Sequence, residues 1–379
     1  ELDRELTAHR QRSHPPTAAK SFRRLTPPEA AGLLGVSESR LRQVAAESGL
    51  GEAVGPRRTY SVDDLAQLRA RLEKGGRTPG RYVPIRRAGE ALQTIVTMNF
   101  KGGSGKTTTS VHLAQYLALR GYRVLAVDLD PQASLTALFG IHSVLDVPAR
   151  STIYGAITFD GERAPLASLV RPTYLPGLSL VPGGLEIMEF EHEMPRALLE
   201  RTHDEGIYFD RVLRALHSVA DDYDIVVIDC PPQLGYLGLS ALVAATAVLI
   251  TVHPQMLDVM SMSQFLAMTR DLLGVVIDVL PDGARPTYDW MRYLLTRFEP
   301  HDGPQNQMAS FLRGIVGEHV MLNATLKSTA ISDAGLTNQT IYEVERGQFT
   351  RATYDRAVES VDAVNREIEE LILKAWGRK

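Results

Sequence analysis

From about residue 94 onward the chain alternates short apolar runs with longer stretches whose apolar residues recur every three or four positions. The runs Thr94–Met98, Arg123–Val127, Leu178–Val181, Asp224–Ile228, Ala247–Val252 and Trp290–Thr296 read as strands. They are apolar along most of their length, not at alternate positions, which marks strands covered on both faces. Between them Lys106–Arg120, Tyr208–Ser218, Met260–Leu273 and Gln305–Val316 read as helices, and a long helix over 350–375 closes the chain. Strand and helix in alternation predict an α/β fold, a mostly parallel sheet doubly wound on both faces.

The first 80 residues follow another pattern. Thr26-Pro-Pro-Glu29 predicts a capping box that opens a helix over Pro27–Leu34, closed by Gly35. Ser37 caps a second helix to Glu47, with Leu41, Val44 and Ala45 on one face. Residues 49–56 read as a loop, Arg57–Tyr60 as an extended piece, and Ser61-Val-Asp-Asp64 as a second capping box for a helix over Val62–Glu73. Gly75–Gly80 reads as a linker. The predicted organisation is an extension at 1–25, flexible or a short helix, a small helical domain at 26–80 and a large domain at 81–379.

Charge sharpens that division. Residues 1–90 hold 17 Lys and Arg against 11 Asp and Glu, leaving 24 against 34 of the chain's 41 and 45 for the remainder. A basic first quarter on an acidic body fits a nucleic-acid-binding module on a larger engine. One cysteine, Cys230, excludes a disulfide framework or a multi-cysteine metal site within one chain. No apolar run reaches the length of a membrane span, and no apolar signal core opens the chain, so the expectation is a cytoplasmic protein.

The strongest chemistry follows the strand at Thr94–Met98. Lys101-Gly102-Gly103-Ser104-Gly105-Lys106-Thr107-Thr108 runs directly into a helix. The glycines let the backbone turn with its N–H groups inward, where a Cβ would collide, and the helix N-terminus also favours phosphate. Lys106 supplies a charge to the β- and γ-phosphates of ATP and Thr107 a hydroxyl ligand for Mg²⁺. Two apolar strands end in acids, at Asp128-Leu-Asp130 and at Asp229, where ligands of open α/β sheets sit. Asp229 has the form of a Walker B aspartate. Asp130 can face metal or the attacking water, and Asp128 reads as structural. No glutamate or glutamine stands out as a strong base, which predicts slow hydrolysis.

The motif at 101–108 resembles the deviant phosphate loop of the ParA/MinD group of P-loop ATPases. In that group the extra lysine, here Lys101, reaches the partner subunit's nucleotide, which implies a homodimer sandwiching two ATP molecules. The resemblance makes Asp128–Gln132 switch I, with Asp130 positioning water or metal-bound water. It also places Thr296 and Arg297, with residues 327–333, near the adenine. Residues 26–73 resemble a winged helix-turn-helix of the MerR type. Ser39, Arg40 and Gln43 would then contact bases and Arg57 and Arg58 phosphates; a three-helix docking module is the plainer reading.

Leu185–Pro195, His253–Asp258, Tyr288–Arg297 and Lys327–Leu336 resemble the ParA branch of RepABC-type plasmids. That resemblance implies ATP-dependent dimerisation, non-specific binding of nucleoid DNA, hydrolysis stimulated by a ParB-like partner and repression of its own operon. ParA-like relatives bind double-stranded DNA near the carboxyl end, where Arg351 and Arg356 are candidates, with Lys327 and Arg313 beside them. A MinD-like membrane helix needs a basic face, against Glu367, Glu369 and Glu370 here. An ATP-modulated repressor stays open as an alternative.

Overall fold

The computed structural model of the chain describes residues 20–54, 57–99, 101–159, 161–200, 208–280 and 285–378. Its strands are β1 (Glu52–Val54), β2 (Arg57–Thr59), β3 (Gln93–Met98), β4 (Val124–Asp128), β5 (Arg171–Pro172), β6 (Leu178–Val181), β7 (Ile225–Asp229), β8 (Ala247–Val252) and β9 (Trp290–Leu295). β1 and β2 pair as an antiparallel ribbon, and the other seven form one sheet in the order β5-β6-β4-β7-β3-β8-β9. All its neighbours run parallel except β5 with β6. The six runs expected as strands are strands, with ends shifted by at most one residue. β5, two residues at an edge, is too short to show in a hydropathy pattern.

Successive side chains of a strand face opposite sides of the sheet. Ile95, Val124 and Val227 accordingly join one apolar cluster and Val96, Leu125 and Ile228 the other. The helices Lys106–Arg120 and Arg351–Ala375 contribute to the first cluster; Tyr236–Ala244, Met256–Val279 and Gly303–Val316 contribute to the second. Two of the helices that escaped the periodicity reading show why. Met188–Glu200 contains Pro195, which argues against a helix interior. Tyr236–Ala244 is apolar on all sides and so has no amphipathic period. The segment Tyr208–Ser218 begins as a 3₁₀ turn and becomes α-helical at Arg211–His217.

The amino-terminal helices form where their caps place them. Glu29 accepts the Thr26 N–H at 2.8 Å, Gly35 leaves the helix at φ +63°, and Ser61 and Asp64 exchange hydrogen bonds of 2.9 and 3.0 Å. The expected loop before Arg57 contains β1, so a hairpin follows the second helix, Glu38–Ser48.

This region is not an appendage, however. Leu25, Leu34, Leu41, Leu68 and Leu72 lie in the same apolar cluster as Leu113, Leu117 and Ile372. Buried Arg69 donates to the carbonyls of Leu33 (2.9 Å), Leu119 (2.6 Å) and Tyr82 (2.8 Å). The linker folds back, with Glu73 accepting the N–H groups of Tyr82 and Val83. The part of the extension that is described, residues 20–25, is neither free nor helical. Lys20 reaches Glu343 and Arg23 donates to the carbonyl of Tyr342 at 2.9 Å, so the segment straps the module to the body. Residues 1–19 lie outside the described residues.

The closing helix corrects another expectation. Glu369 does not belong to an acidic solvent face: it is buried and accepts from Tyr116 and Tyr122 at 3.1 and 3.0 Å. Glu367 accepts the N–H groups of Leu322 and Asn323. Among the described residues no helix is long and apolar enough to cross a membrane.

Candidate functional site: a phosphate loop beside two acid-tipped strands

β7 lies between β4 and β3, with Asp229 in register with Asp128 on one side and Thr97 on the other. Parallel pairing thus lines up the carboxyl ends of three strands, which brings both acidic tips to the loop that leaves β3. Gly103 and Gly105 take φ +77° and +86°, a region that favours glycine. Crowding by the protein is not the reason for the first two glycines: a Cβ on Gly102 or Gly103 would meet no atom within 4 Å. At Gly105 it would lie 3.5 Å from Thr296.

The floor of the loop is tied to the neighbouring strands. Asn99 donates to the Thr251 carbonyl and accepts the Lys101 N–H at 3.0 Å. The Ser104 and Thr251 hydroxyls meet at 3.0 Å, and Thr296 donates to the Ser104 carbonyl at 2.7 Å. Gly105 caps the next helix without a side chain, so its first N–H groups stay directed at the loop.

Beneath the loop the polar groups converge. The Thr107 and Ser110 hydroxyls donate to the two oxygens of Asp229 at 2.7 and 3.0 Å. Asp229 is wholly buried, and burial holds its carboxyl above the usual range despite those bonds and nearby Lys106. Burial also lowers the Lys106 ammonium, while Asp229 and Asp130 oppose that shift. Asp128, buried beside Asp229, is pushed up by burial first and by that neighbour second. It accepts from the Asp130 N–H at 3.1 Å and from the Thr136 N–H and hydroxyl at 2.8 and 2.7 Å. Asp130 in turn accepts the Gln132 N–H at 2.9 Å. Asp128 therefore shapes the segment that presents Asp130.

The remaining candidates divide. Lys101 stands at the edge of the loop, with its ammonium paired to Asp258. Thr296 is buried with its hydroxyl committed to the loop; Arg297 follows at φ +51°, one Nη donating to the Gly103 carbonyl at 3.4 Å. A recess of about 350 Å³ opens beside Thr107 and Thr108, and Ile331 alone of residues 327–333 lines it. Lys327 is paired with Glu299 at 2.9 Å instead. Ser39, Arg40 and Gln43 are exposed on Glu38–Ser48, with Arg40 donating to Gln43 at 2.9 Å. Arg57 and Arg58 lie on β2. Arg351 and Arg356 are exposed near the start of the closing helix, and Arg351 meets Asp355 at 3.4 Å. Asn99, Ser110, Thr251 and Asp258 were not foreseen. Their partners are remote in sequence or set by the loop's own turn; only Asp258 lies in a segment the sequence had singled out, His253–Asp258, and there without a role.

A strand–glycine loop–helix unit with Lys-Thr at the helix start, flanked by acids on parallel strands, defines a P-loop nucleotide-binding protein. A family model described as an AAA domain matches residues 92–274. A Rhizobium rhizogenes protein that bears the name replication protein A is 57% identical over 380 residues, spanning 100% of this chain and 93% of the relative. Protein SopA of Escherichia coli strain K12 is 31% identical, over 86% of this chain and 82% of its own length. Among solved structures, a partition protein aligns with 98% of this chain and 96% of its own at a TM-score of 0.67 and 17% identity, a likeness of fold. The chain belongs to the ParA family of partitioning ATPases, in the branch that includes replication protein A.

Proposed function

We propose that the chain is an ATP-driven segregation switch for a plasmid or chromosome. Two copies sandwich two ATP molecules and bind nucleoid DNA without sequence preference. Hydrolysis, stimulated by a ParB-like centromere-binding partner, releases the dimer, and the region at 26–80 represses the chain's own operon. The convergence of Lys106, Thr107 and Asp229 under a glycine loop, with a second lysine at its edge, carries the reading.

Lys106 and the N–H groups of residues 102–108 hold the β- and γ-phosphates, balancing their charge where water is thin. The donor set fits magnesium: a threonine hydroxyl and a carboxylate, both hard oxygen donors, meet at 2.7 Å. Among the described residues no cluster of three His, Cys, Asp or Glu offers a protein-only metal cage. Thr107 and Asp229, with Asp130 toward the nucleophile, would hold the ion alongside phosphate oxygens and water. Mg²⁺ supplies charge neutralisation on the transferred phosphoryl group. Asp130 orients the attacking water, and Ser104 and Thr108 complete the phosphate cradle. Thr296 and Arg297 act toward the nucleotide through the loop, by fixing the Ser104 and Gly103 carbonyls. The exposed row Ser39, Arg40, Gln43, with Arg57 and Arg58 on the hairpin, supports the operator reading, and Arg351 and Arg356 the non-specific one.

Lys101→Ala tests the switch. The variant should bind nucleotide yet stay monomeric with ATP and Mg²⁺ in analytical ultracentrifugation, where the parent chain pairs. Normal pairing of the variant would falsify the sandwich.

A further inference from the structure

Lys101 does not wait free at the edge of the loop. Its side chain is 52% exposed, yet the ammonium sits on the carboxylate of Asp258, whose side chain is 5% exposed. Asp258 lies in the first turn of Met256–Val279, where a helix N-terminus favours a negative charge. Its other oxygen lies 3.4 Å from Nδ1 of His253, at the end of β8. Burial, Arg297 and Lys101 all favour neutral His253, so the full charge opposing Asp258 comes from Lys101. Met256, Leu257 and Met260, beside Asp258 on the same turn, are exposed; Leu257 is 74% exposed.

We propose that Asp258 is the resting acceptor of Lys101, holding the ammonium within its own subunit until the partner's nucleotide competes for it, and so setting the ATP level at which two copies pair. The inference rests on the sandwich reading above and names the regulation of that same lysine. Releasing Lys101 strips a buried carboxylate of its cation, which is costly, whereas the lysine regains water easily. A triphosphate, with its greater charge, competes better than a diphosphate. The pair therefore discriminates ATP from ADP at the step of association. Exposed Met256, Leu257 and Met260 flank it as the apolar rim that a second copy covers when the lysine crosses.

The test is Asp258→Asn in the full chain, titrated with ATP and with ADP in the presence of Mg²⁺ and followed by ultracentrifugation. The half-saturating ATP for pairing should fall by at least about fivefold, because Lys101 no longer has to leave a buried carboxylate, with detectable pairing in ADP. Nucleotide affinity of the monomer should not change. Lys101→Ala with Asp258→Asn should gain nothing over Lys101→Ala alone. An unchanged or raised ATP requirement overturns the proposal, because Asp258 would then be structural or would serve the dimer. Should Asp258→Asn not fold, carbodiimide coupling of the parent chain decides. An amide joining Lys101 and Asp258 within one subunit should form without nucleotide and fade with a non-hydrolysable ATP analogue; no such product, or equal yield in both states, overturns it. Failure of the parent chain to pair at all would instead sink the sandwich reading.

Discussion

His112 shows how one side chain ties the nucleotide loop to distant sequence. It lies on the helix of the phosphate loop, wholly buried, with its ring tilted against that of Tyr342 at 5.6 Å. Nε2 accepts the Ile341 N–H at 3.2 Å, so the ring proton is on Nδ1, which donates to the Thr108 carbonyl at 2.6 Å. Burial depresses its pKa from 6.5 to about 4, and a second proton would face the Ile341 N–H, donor against donor. A depressed folded pKa means that the contribution to stability is complete above 6.5 and is lost as the pH falls through 4. The full effect is about 3 kcal/mol. Urea midpoints between pH 7.5 and 4 should show that loss in the parent chain and a flatter profile for His112→Gln. Identical profiles would remove His112 from the account.

At the scale of elements, Arg69 does what neither helix cap nor linker could do alone. The last turns of Pro27–Leu34 and Lys106–Arg120 each leave carbonyls without helical partners, and one guanidinium takes Leu33 from the first and Leu119 from the second. A cation at two helix C-termini also meets their dipoles favourably. Gly121, at φ +103°, makes room: a Cβ there would lie 2.6 Å from Arg69 Cδ. Arg69→Met should keep much of the packing but strand these two carbonyls and that of Tyr82, costing about 2–4 kcal/mol. Thermal unfolding reads the loss, and limited proteolysis at residues 75–80 should accelerate as the module loosens. Unchanged stability and cleavage would show that the apolar interface alone holds the module.

For the whole molecule, the shared core changes how DNA binding should be dissected. Removing residues 1–80 would take Leu25 and Leu33 from the recess they line with Tyr116 and Leu119, and Arg69 from the end of the loop's helix, so a truncation confounds binding with folding. Surface substitutions separate the two surfaces. Arg40→Ala with Arg58→Ala should weaken operator binding and lower its salt slope by about 1–2. ATP-dependent binding to random-sequence DNA should persist, as measured by fluorescence anisotropy across salt. Loss of both modes together would favour an ATP-modulated repressor over a segregation switch.

The central strands, the caps at Thr26, Ser37 and Ser61, and the loop at 101–108 were legible because each depends on neighbours within a few residues. A capping hydroxyl, an apolar run or a glycine turn states its geometry locally. The deviant lysine was legible in the same way, as was Asp229 at the tip of its strand. Strand order was not: it set Asp128 beside Asp229 and put Thr251 and Thr296 under the loop, through contacts more than a hundred residues apart. Packing alone turned residues 20–25 of the expected extension into a strap and the linker into an interface, and buried Glu369 within a helix whose acids looked solvated. Nothing in the spacing of Lys101 and Asp258 joins them; parallel pairing of β3 with β8 brings their strand ends together. Local chemistry thus marked where phosphate would lie, and the sheet decided which charges surround it, because pairing between remote strands is written in no single segment.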